Sequence, residues 1–160
     1  LAEANRESQQ FMSGTSRPDW YRNALTEHRA AQAVVFAIRL AGELVGTTRF
    51  FDFNASLPSC EIGSTWLDAG QQGSGLNSMI KYLMLRHAFE DWGLVRVQLK
   101  TAASNLRSQR AIEKLGAVRE GLLRNHRRLA DGRLDDTVMY SITDSEWPQV
   151  KQQLEARFGA

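Results

Sequence analysis

Cysteine and histidine are scarce in this chain of 160 residues, which contains one cysteine and three histidines. Cys60 has no second cysteine with which to form an internal disulfide, and this suits a protein of the reducing cytoplasm. His28, His87 and His126 lie far apart in the sequence and have no cysteine partners. A zinc site needs several such ligands close together. We therefore expect a cytoplasmic protein without a metal site.

Long apolar runs and a strong excess of one charge are also missing. No apolar run reaches the roughly 18 residues of a transmembrane helix, so we expect no contact with a membrane. Residues 1–10 are polar and mixed in charge, unlike a secretion signal. The net charge of +2 is too small to predict binding to nucleic acid. The length and a hydrophobic fraction of 42% predict a single globular domain over residues 1–160.

Arginine, by contrast, recurs in one late segment. The cluster comprises Arg119, Arg124, Arg127, Arg128 and Arg133. It forms either a solvated face of a hairpin or a positive rim that attracts an anionic ligand. Residues 119–133 contain no Phe, Tyr or Trp on which bases would stack. We expect no nucleic acid partner.

The most informative segment is residues 65–77, with the sequence TWLDAGQQGSGLN. It predicts the end of a strand, a glycine-rich turn and the start of a helix. Gly73 and Gly75 lack a Cβ and allow a tight turn. A helix that begins near Leu76 directs its unsatisfied N–H groups and positive dipole end at that turn. This arrangement predicts a cradle for an anion, most often phosphate.

Two common phosphate sites are excluded by the local sequence around Gly75. A nucleotide-hydrolysing P-loop has Lys and then Ser or Thr after its last glycine, where this chain has Leu76 and Asn77. A dinucleotide-binding fold has three glycines after its first strand, and this turn has two and lies near the middle of the chain.

The remaining sequence predicts an α/β sandwich around a mixed sheet. Helical patterns cover residues 3–12 and begin again at Pro18, and strand patterns cover residues 33–38, 44–51 and 60–67. The helix after the glycine turn ends at Trp92–Gly93 and is followed by a strand at 95–100. Asn105 caps a short helix, Asp131–Gly132 closes a hairpin, and a last helix begins near Ser145. The apolar stripe of the long helix consists of Leu76, Met79, Ile80, Leu83, Met84, His87 and Ala88.

The pattern Gln72-x-x-Gly75-x-Asn77 resembles the acyl-CoA binding motif of the GNAT N-acetyltransferases. That motif usually ends in Gly or Ala, where this chain has Asn77. Further segments match the family in order: 61–63, 105–108, 113–117, 119–121 and 136–141. The matches extend over about residues 34–148 and are most similar to the RimJ/RimL-like branch, which acetylates protein N-termini and small amines.

This resemblance implies a fold, a reaction and partners. The expected fold has a mixed, mostly antiparallel central sheet flanked by helices, with two central strands that splay apart near Leu67 and Lys100. The expected co-substrate is acetyl-CoA, and the expected acceptor is a primary amine of a protein N-terminus or a small molecule. A homodimer is left open. Members of the family usually begin with a strand before the first helix, and we expect that strand to be missing here.

The resemblance also implies roles for particular residues. Glu61 would be the general base that takes the proton of the amine, and Ser108 would donate a proton to the departing thiolate. Asn105 would bind pantetheine and Arg107 a phosphate group. The expected pyrophosphate site is Gln72, Gly73, Ser74, Gly75, Leu76 and Asn77, and the backbone expected to pair with pantetheine is that of Thr65, Trp66 and Leu67.

Alternatives to these roles remain open at the level of the sequence. Glu61 is otherwise a surface residue of a strand, Asn105 a helix cap alone, and Tyr140 a packing residue instead of an acid. Large apolar side chains at Phe11, Met12, Trp20 and Trp66 are candidates for the acceptor pocket. An acyl-CoA-binding sensor without catalysis is the alternative function.

Overall fold

The structure is a computed structural model that describes residues 17–159, with side chains from residue 22 onward. Four α-helices and six strands follow one another along this part of the chain. They are α1 (Arg17–Arg29), β1 (Ala33–Leu40), β2 (Glu43–Asn54), β3 (Ser59–Leu67), α2 (Leu76–Arg86), β4 (Arg96–Ala102), α3 (Leu106–Glu113), β5 (Val118–Arg128), β6 (Leu134–Thr143) and α4 (Trp147–Phe158). The predicted helix over residues 3–12 lies outside the described residues.

The strands form one six-stranded sheet in the order β1-β2-β3-β4-β6-β5. Strands β3 and β4 are parallel to each other, and all other neighbours are antiparallel. The prediction of a mixed, mostly antiparallel sheet flanked by helices is confirmed.

Two tight hairpins build the outer parts of this sheet. Ala41 and Gly42 join β1 to β2 with φ angles of 50° and 86°, the left-handed backbone that short hairpin turns require. At the other edge, Asp131 and Gly132 lie in the turn between β5 and β6, as predicted, and Gly132 has a φ of 86°. Hairpins of this kind fix strand register, and so they fix which side chains face each side of the sheet.

The main core lies between the sheet and the helices α2, α3 and α4. Its buried side chains include Phe50, Leu85, Val97, Tyr140 and Leu154. Helix α1 lies on the opposite face of the sheet, where Glu27 pairs with Arg49, the neighbour of Phe50. Of the helices within residues 17–159, none has the length and apolarity needed to cross a bilayer.

Helix α2 corrects one part of the predicted apolar stripe. Leu83 was expected in the core but is 47% exposed, whereas Lys81 and Leu85 are buried. A π-helical turn over His87–Asp91 extends α2 as far as Trp92, so the predicted end of this helix is confirmed.

Candidate active site

Strands β3 and β4 form a fork in the middle of the sheet. They pair only at Ser59–Arg96, Cys60–Val97 and Glu61–Gln98. Beyond Glu61, β3 continues to Leu67 and β4 to Ala102 without pairing to each other. The facing backbone groups of both strands are therefore left to bind something placed in the gap, and the predicted splay is confirmed.

A β-bulge in β3 opens this fork. Arg49 of β2 is opposite Gly63, but Thr47 is opposite Trp66, so two residues of β3 face Thr48 alone. One of the two, Ser64, has a left-handed φ of 46°. A bulge bends its strand and increases the local twist, and here it does so directly after the last pairing with β4.

The glycine turn lies at the open end of the fork. A 3₁₀ turn over Ala69–Gln71 follows β3, and Gly73 and Gly75 then have φ angles of 80° and 87°. A Cβ added to either glycine would meet no atom within 4 Å. The positive φ angles explain why glycine suits both positions, and the space beside them is open to a ligand.

The first turn of α2 presents N–H groups to that space. Met79 N–H binds the carbonyl oxygen of Gly75 at 3.1 Å, and Leu76 N–H donates to the Ser74 hydroxyl at 3.3 Å. Helix geometry leaves the N–H groups of Asn77 and Ser78 without an acceptor in their own helix. An anion such as a phosphate group fits this site.

Arg107 reaches the glycine turn from the other side of the fork. Its Nη1 donates to Oε1 of Gln72 at 2.5 Å, and Nε2 of Gln72 lies 3.4 Å from the carbonyl oxygen of Leu67. Gln72 follows β3 and Arg107 follows β4, so this contact bridges the gap. A guanidinium beside the cradle adds positive charge where an anion would bind.

Asn105 and Ser108 lie at the beginning of α3, just after β4. Oδ1 of Asn105 accepts a hydrogen bond from the N–H of Ser108 at 3.1 Å, so the predicted helix cap is confirmed. This bond uses neither the Asn105 side-chain NH₂ nor the Ser108 hydroxyl. Both groups are thus compatible with a second role at the end of the fork.

Glu61 is the last residue of β3 that pairs with β4, and it is only 2% exposed. The alternative interpretation of Glu61 as a surface residue of the strand is therefore wrong. Its Oε2 lies 2.7 Å from Nζ of Lys100 and 3.3 Å from Nε2 of Gln98. Burial raises the pKa of Glu61 above its usual value, while the hydrogen bond and charge of Lys100 oppose that rise. A carboxylate that is basic and held in place suits proton abstraction.

A buried lysine lies on the helix side of the same strand. Lys81 of α2 is 5% exposed, and its Nζ donates to the hydroxyls of Thr65 and Thr48, the latter at 3.2 Å. Burial lowers the pKa of Lys81 to about 7, against the effect of the Glu61 charge.

Sequence reasoning missed both lysines near Glu61. Lys81 lies within the apolar helix pattern, where a charged residue is a signal of a special site. Lys100 has the same phase as Gln98 in β4, on the face opposite Val97 and Leu99. That alternation assigns Lys100 to the same face as Gln98, and only the pairing of β3 with β4 brings that face to Glu61.

The remaining predicted residues lie along the edge of the gap, in the core or outside the described part of the chain. Thr65, Trp66 and Leu67 border the gap, with one backbone edge towards β2. Tyr140 is fully buried and its hydroxyl donates to Glu113 at 3.0 Å, which agrees with packing. Phe11, Met12 and the Trp20 side chain lie outside the described part of the molecule.

Within residues 17–159, no three His, Cys, Asp or Glu side chains are grouped to hold a metal ion.

Comparison with protein families gives a match over most of the chain. The model described as an acetyltransferase (GNAT) domain matches residues 3–118. The ribosomal-protein-serine acetyltransferase of Escherichia coli (strain K12) is 30% identical over 120 residues, which are 74% of this chain and 66% of that protein. This chain therefore spans about two thirds of the length of that relative.

Solved structures show the same architecture. A structure from T. thermophilus, assigned provisionally as an acetyltransferase, is 41% identical with a TM-score of 0.82. The match covers 95% of this chain and 82% of that one. Mycobacterium smegmatis RimJ in complex with CoA-disulfide has a TM-score of 0.83 at 24% identity, over 98% of this chain and 80% of that one. At this level of identity, the similarity to RimJ shows a shared fold.

Proposed function

Because the chain belongs to the GNAT acetyltransferase family, we propose that it transfers the acetyl group of acetyl-CoA to a primary amine. The observation that carries this proposal is the fork, in which pairing of β3 with β4 stops at Glu61. The gap has a phosphate cradle at its open end and a buried carboxylate at its closed end. A long ligand with phosphates at one end and a reactive group at the other matches that order.

Acetyl-CoA would bind along the fork as an additional, partial strand. The N–H groups around Gln72–Asn77 would bind its pyrophosphate, and Arg107 would contribute charge to the phosphates. The backbone edge of residues 65–67 that borders the gap would bind the pantetheine amides, together with the side chain of Asn105. These contacts would hold the thioester between the strands and bring it close to the amine.

Transfer requires proton movements at the amine and at the departing thiolate. The amine nitrogen must lose a proton so that its lone pair can attack the thioester carbonyl, and Glu61 would accept that proton. The C–S bond then breaks, the acetyl group stays on nitrogen, and the thiolate takes a proton from Ser108. The nitrogen releases its second proton as the amide forms, and that proton restores the Ser108 hydroxyl. A base is needed because an amine of ordinary pKa is mostly protonated at neutral pH.

For the acceptor we propose a protein N-terminus or a small primary amine, in the cytoplasm. The name of the Escherichia coli relative, a ribosomal-protein-serine acetyltransferase, makes peptides that begin with serine the first acceptors to test. Fold alone does not select among amines, since one scaffold hosts many acceptor pockets.

Release of free thiol from acetyl-CoA, measured across a panel of amines, tests the proposal. The panel should contain peptides with N-terminal serine and alanine, a polyamine and an amino sugar. We expect at least one amine to release thiol in proportion to the amide formed, as measured by mass spectrometry. Thiol release that is the same with and without every amine would contradict acetyl transfer.

The second candidate function is a non-catalytic sensor of acyl-CoA. The Glu61–Lys100 ion pair favours it, because it engages the carboxylate that would act as base. A sensor would gain thermal stability from acetyl-CoA and yet acetylate none of the amines. An enzyme would gain thermal stability from acetyl-CoA and would also acetylate at least one of the amines.

A further inference from the structure

Lys81 takes no part in the proposed proton transfers, yet it lies within the core beside the fork. Lys81 lies about 7.5 Å along the axis of α2 from the first residue of that helix. Its side chain contacts Thr65 of β3, the strand that borders the gap. Its side chain is 5% exposed. Burial of an ammonium group costs free energy that a Met of similar shape would avoid. A contribution to overall stability therefore does not explain why a lysine occupies this buried position.

The hydrogen bonds of Lys81 are concentrated on the bulge of β3. Nζ donates to Oγ1 of Thr65 and to Oγ1 of Thr48, the latter at 3.2 Å. The two hydroxyl oxygens are themselves 2.8 Å apart, and Oγ1 of Thr48 lies 3.5 Å from the carbonyl oxygen of Gly63. Gly63, Thr65 and Thr48 are the residues that surround Ser64 in the bulge.

The bulge needs such support because its backbone is unfavourable. Ser64 has a φ of 46°, and a residue other than glycine adopts the left-handed region only at a cost in free energy. A regular strand through Gly63–Thr65 would remove that cost. It would also reverse the faces of the residues after the bulge, because side chains alternate along a strand. Bonds from Lys81 oppose this rearrangement.

The same contacts join the two parts of the proposed acetyl-CoA site. Lys81 belongs to the helix whose first turn forms the phosphate cradle, and Thr65 belongs to the strand edge that faces the gap. We propose that Lys81 is a positioning residue, which holds the bulged path of β3 at a fixed distance from the cradle through Thr48 and Thr65. This inference rests on the proposed function, since it assigns the residue to the binding of acetyl-CoA.

Substitution of Lys81 by Met tests the proposal. Lys81→Met keeps the length of the side chain and removes its donors. We expect the Kd for CoA and the KM for acetyl-CoA to rise on the order of tenfold, as the loss of the two buried hydrogen bonds of Lys81 Nζ predicts. We expect kcat at saturating acetyl-CoA to change by about twofold or less, because no reacting atom is touched. The melting temperature should stay the same or rise, since Met has no ammonium group that folding must bury or deprotonate.

Two further variants separate positioning from general damage. Thr48→Val removes one acceptor of Lys81 and should weaken CoA binding in the same direction, whereas Thr48→Ser keeps the hydroxyl and should restore it. Thr48 is 1% exposed, so it acts through its neighbours. Lys151→Met is the matched control on α4, where Lys151 pairs with Glu90 at 2.8 Å, and it should bind CoA like the parent.

The outcomes are distinct. If the parent binds CoA and Lys81→Met binds it equally well, the positioning role is wrong and the proposed function stands. If Lys81→Met does not fold, the CoA binding of Thr48→Val tests the positioning role instead, and binding equal to that of the parent would show that this role is wrong. A parent that binds no CoA would overturn the proposed function and this inference together.

Discussion

The carboxylate of Glu61 lies 2.7 Å from the ammonium of Lys100, at the point where β3 and β4 separate. Lys100 is 32% exposed at its side chain, whereas Glu61 is almost fully buried. The pair thus has one partner that reaches solvent and one that does not. In the proposed reaction, the ammonium of an acceptor amine would meet a carboxylate that Lys100 already engages, so its proton would reach Glu61 either through water or after Lys100 moves aside.

Glu61→Gln should lower turnover with a protonated amine far more than it weakens CoA binding. The remaining activity should increase as pH rises, because a larger fraction of the amine is then neutral and needs no base. A pH–rate profile of parent and variant with one active amine measures this. Profiles of the same shape and height would remove Glu61 from the role of base.

Lys100→Met should move the acidic limb of the profile of kcat/KM to higher pH. Lys100 lowers the pKa of Glu61, in opposition to burial, so its removal lets that pKa rise further. A base with a higher pKa is protonated at pH values where the parent base is ionised, and activity is lost there first. Lys100→Arg keeps the charge and should keep the limb near its original position. A limb that moves to lower pH in Lys100→Met would contradict this electrostatic explanation.

Ser108→Ala should reduce the rate of acetyl transfer on the order of 10²-fold, as is typical of one general acid. The loss should be smaller with an acyl donor whose thiol leaves more easily. Ser104→Ala is the matched control, since Ser104 precedes the same helix but its hydroxyl donates to Asp135 at 2.5 Å. Full activity of Ser108→Ala would assign proton donation to water or another group.

Asn105→Asp should separate helix capping from ligand binding. An Asp side chain still accepts the N–H of Ser108, so the melting temperature should remain close to that of the parent. It has no NH₂ group to donate to pantetheine and adds a negative charge, so CoA binding should weaken. Asn105→Ala should lose both, with about 1 kcal/mol of stability lost for the cap. Equal CoA binding by parent and Asn105→Asp would leave Asn105 as a cap alone.

The sequence was sufficient for the parts of this site that depend on neighbouring residues. The strand, glycine turn and helix from Thr65 to Leu76 follow from local rules, because glycine tolerates positive φ and helical periodicity begins directly afterwards. The Asn105 cap and the Asp131–Gly132 turn are local in the same sense. The splay of the two central strands came from the family resemblance and not from the residues themselves, and their parallel pairing came from the structure.

The groups around Glu61 could not be predicted by such rules. The apolar stripe of α2 included Leu83, which is exposed, and assigned nothing to Lys81, which is buried. Burial of Lys81 depends on hydroxyls of β2 and β3, which are distant in the sequence. Likewise, Lys100 reaches Glu61 only because β3 and β4 are neighbours in the sheet.

The central claim is that CoA binds at the glycine turn, and calorimetric titration of Gly75→Trp with CoA tests it most directly. Gly132→Trp is the matched control, because Gly132 has nearly the same φ (86° against 87°) and equal space around it, but lies in a hairpin turn. Both variants bear a similar backbone strain. We predict that the parent and Gly132→Trp bind CoA with the same Kd and that Gly75→Trp, still folded by circular dichroism, binds at least about tenfold more weakly. Equal affinity in all three proteins, or no binding by the parent, would contradict the account.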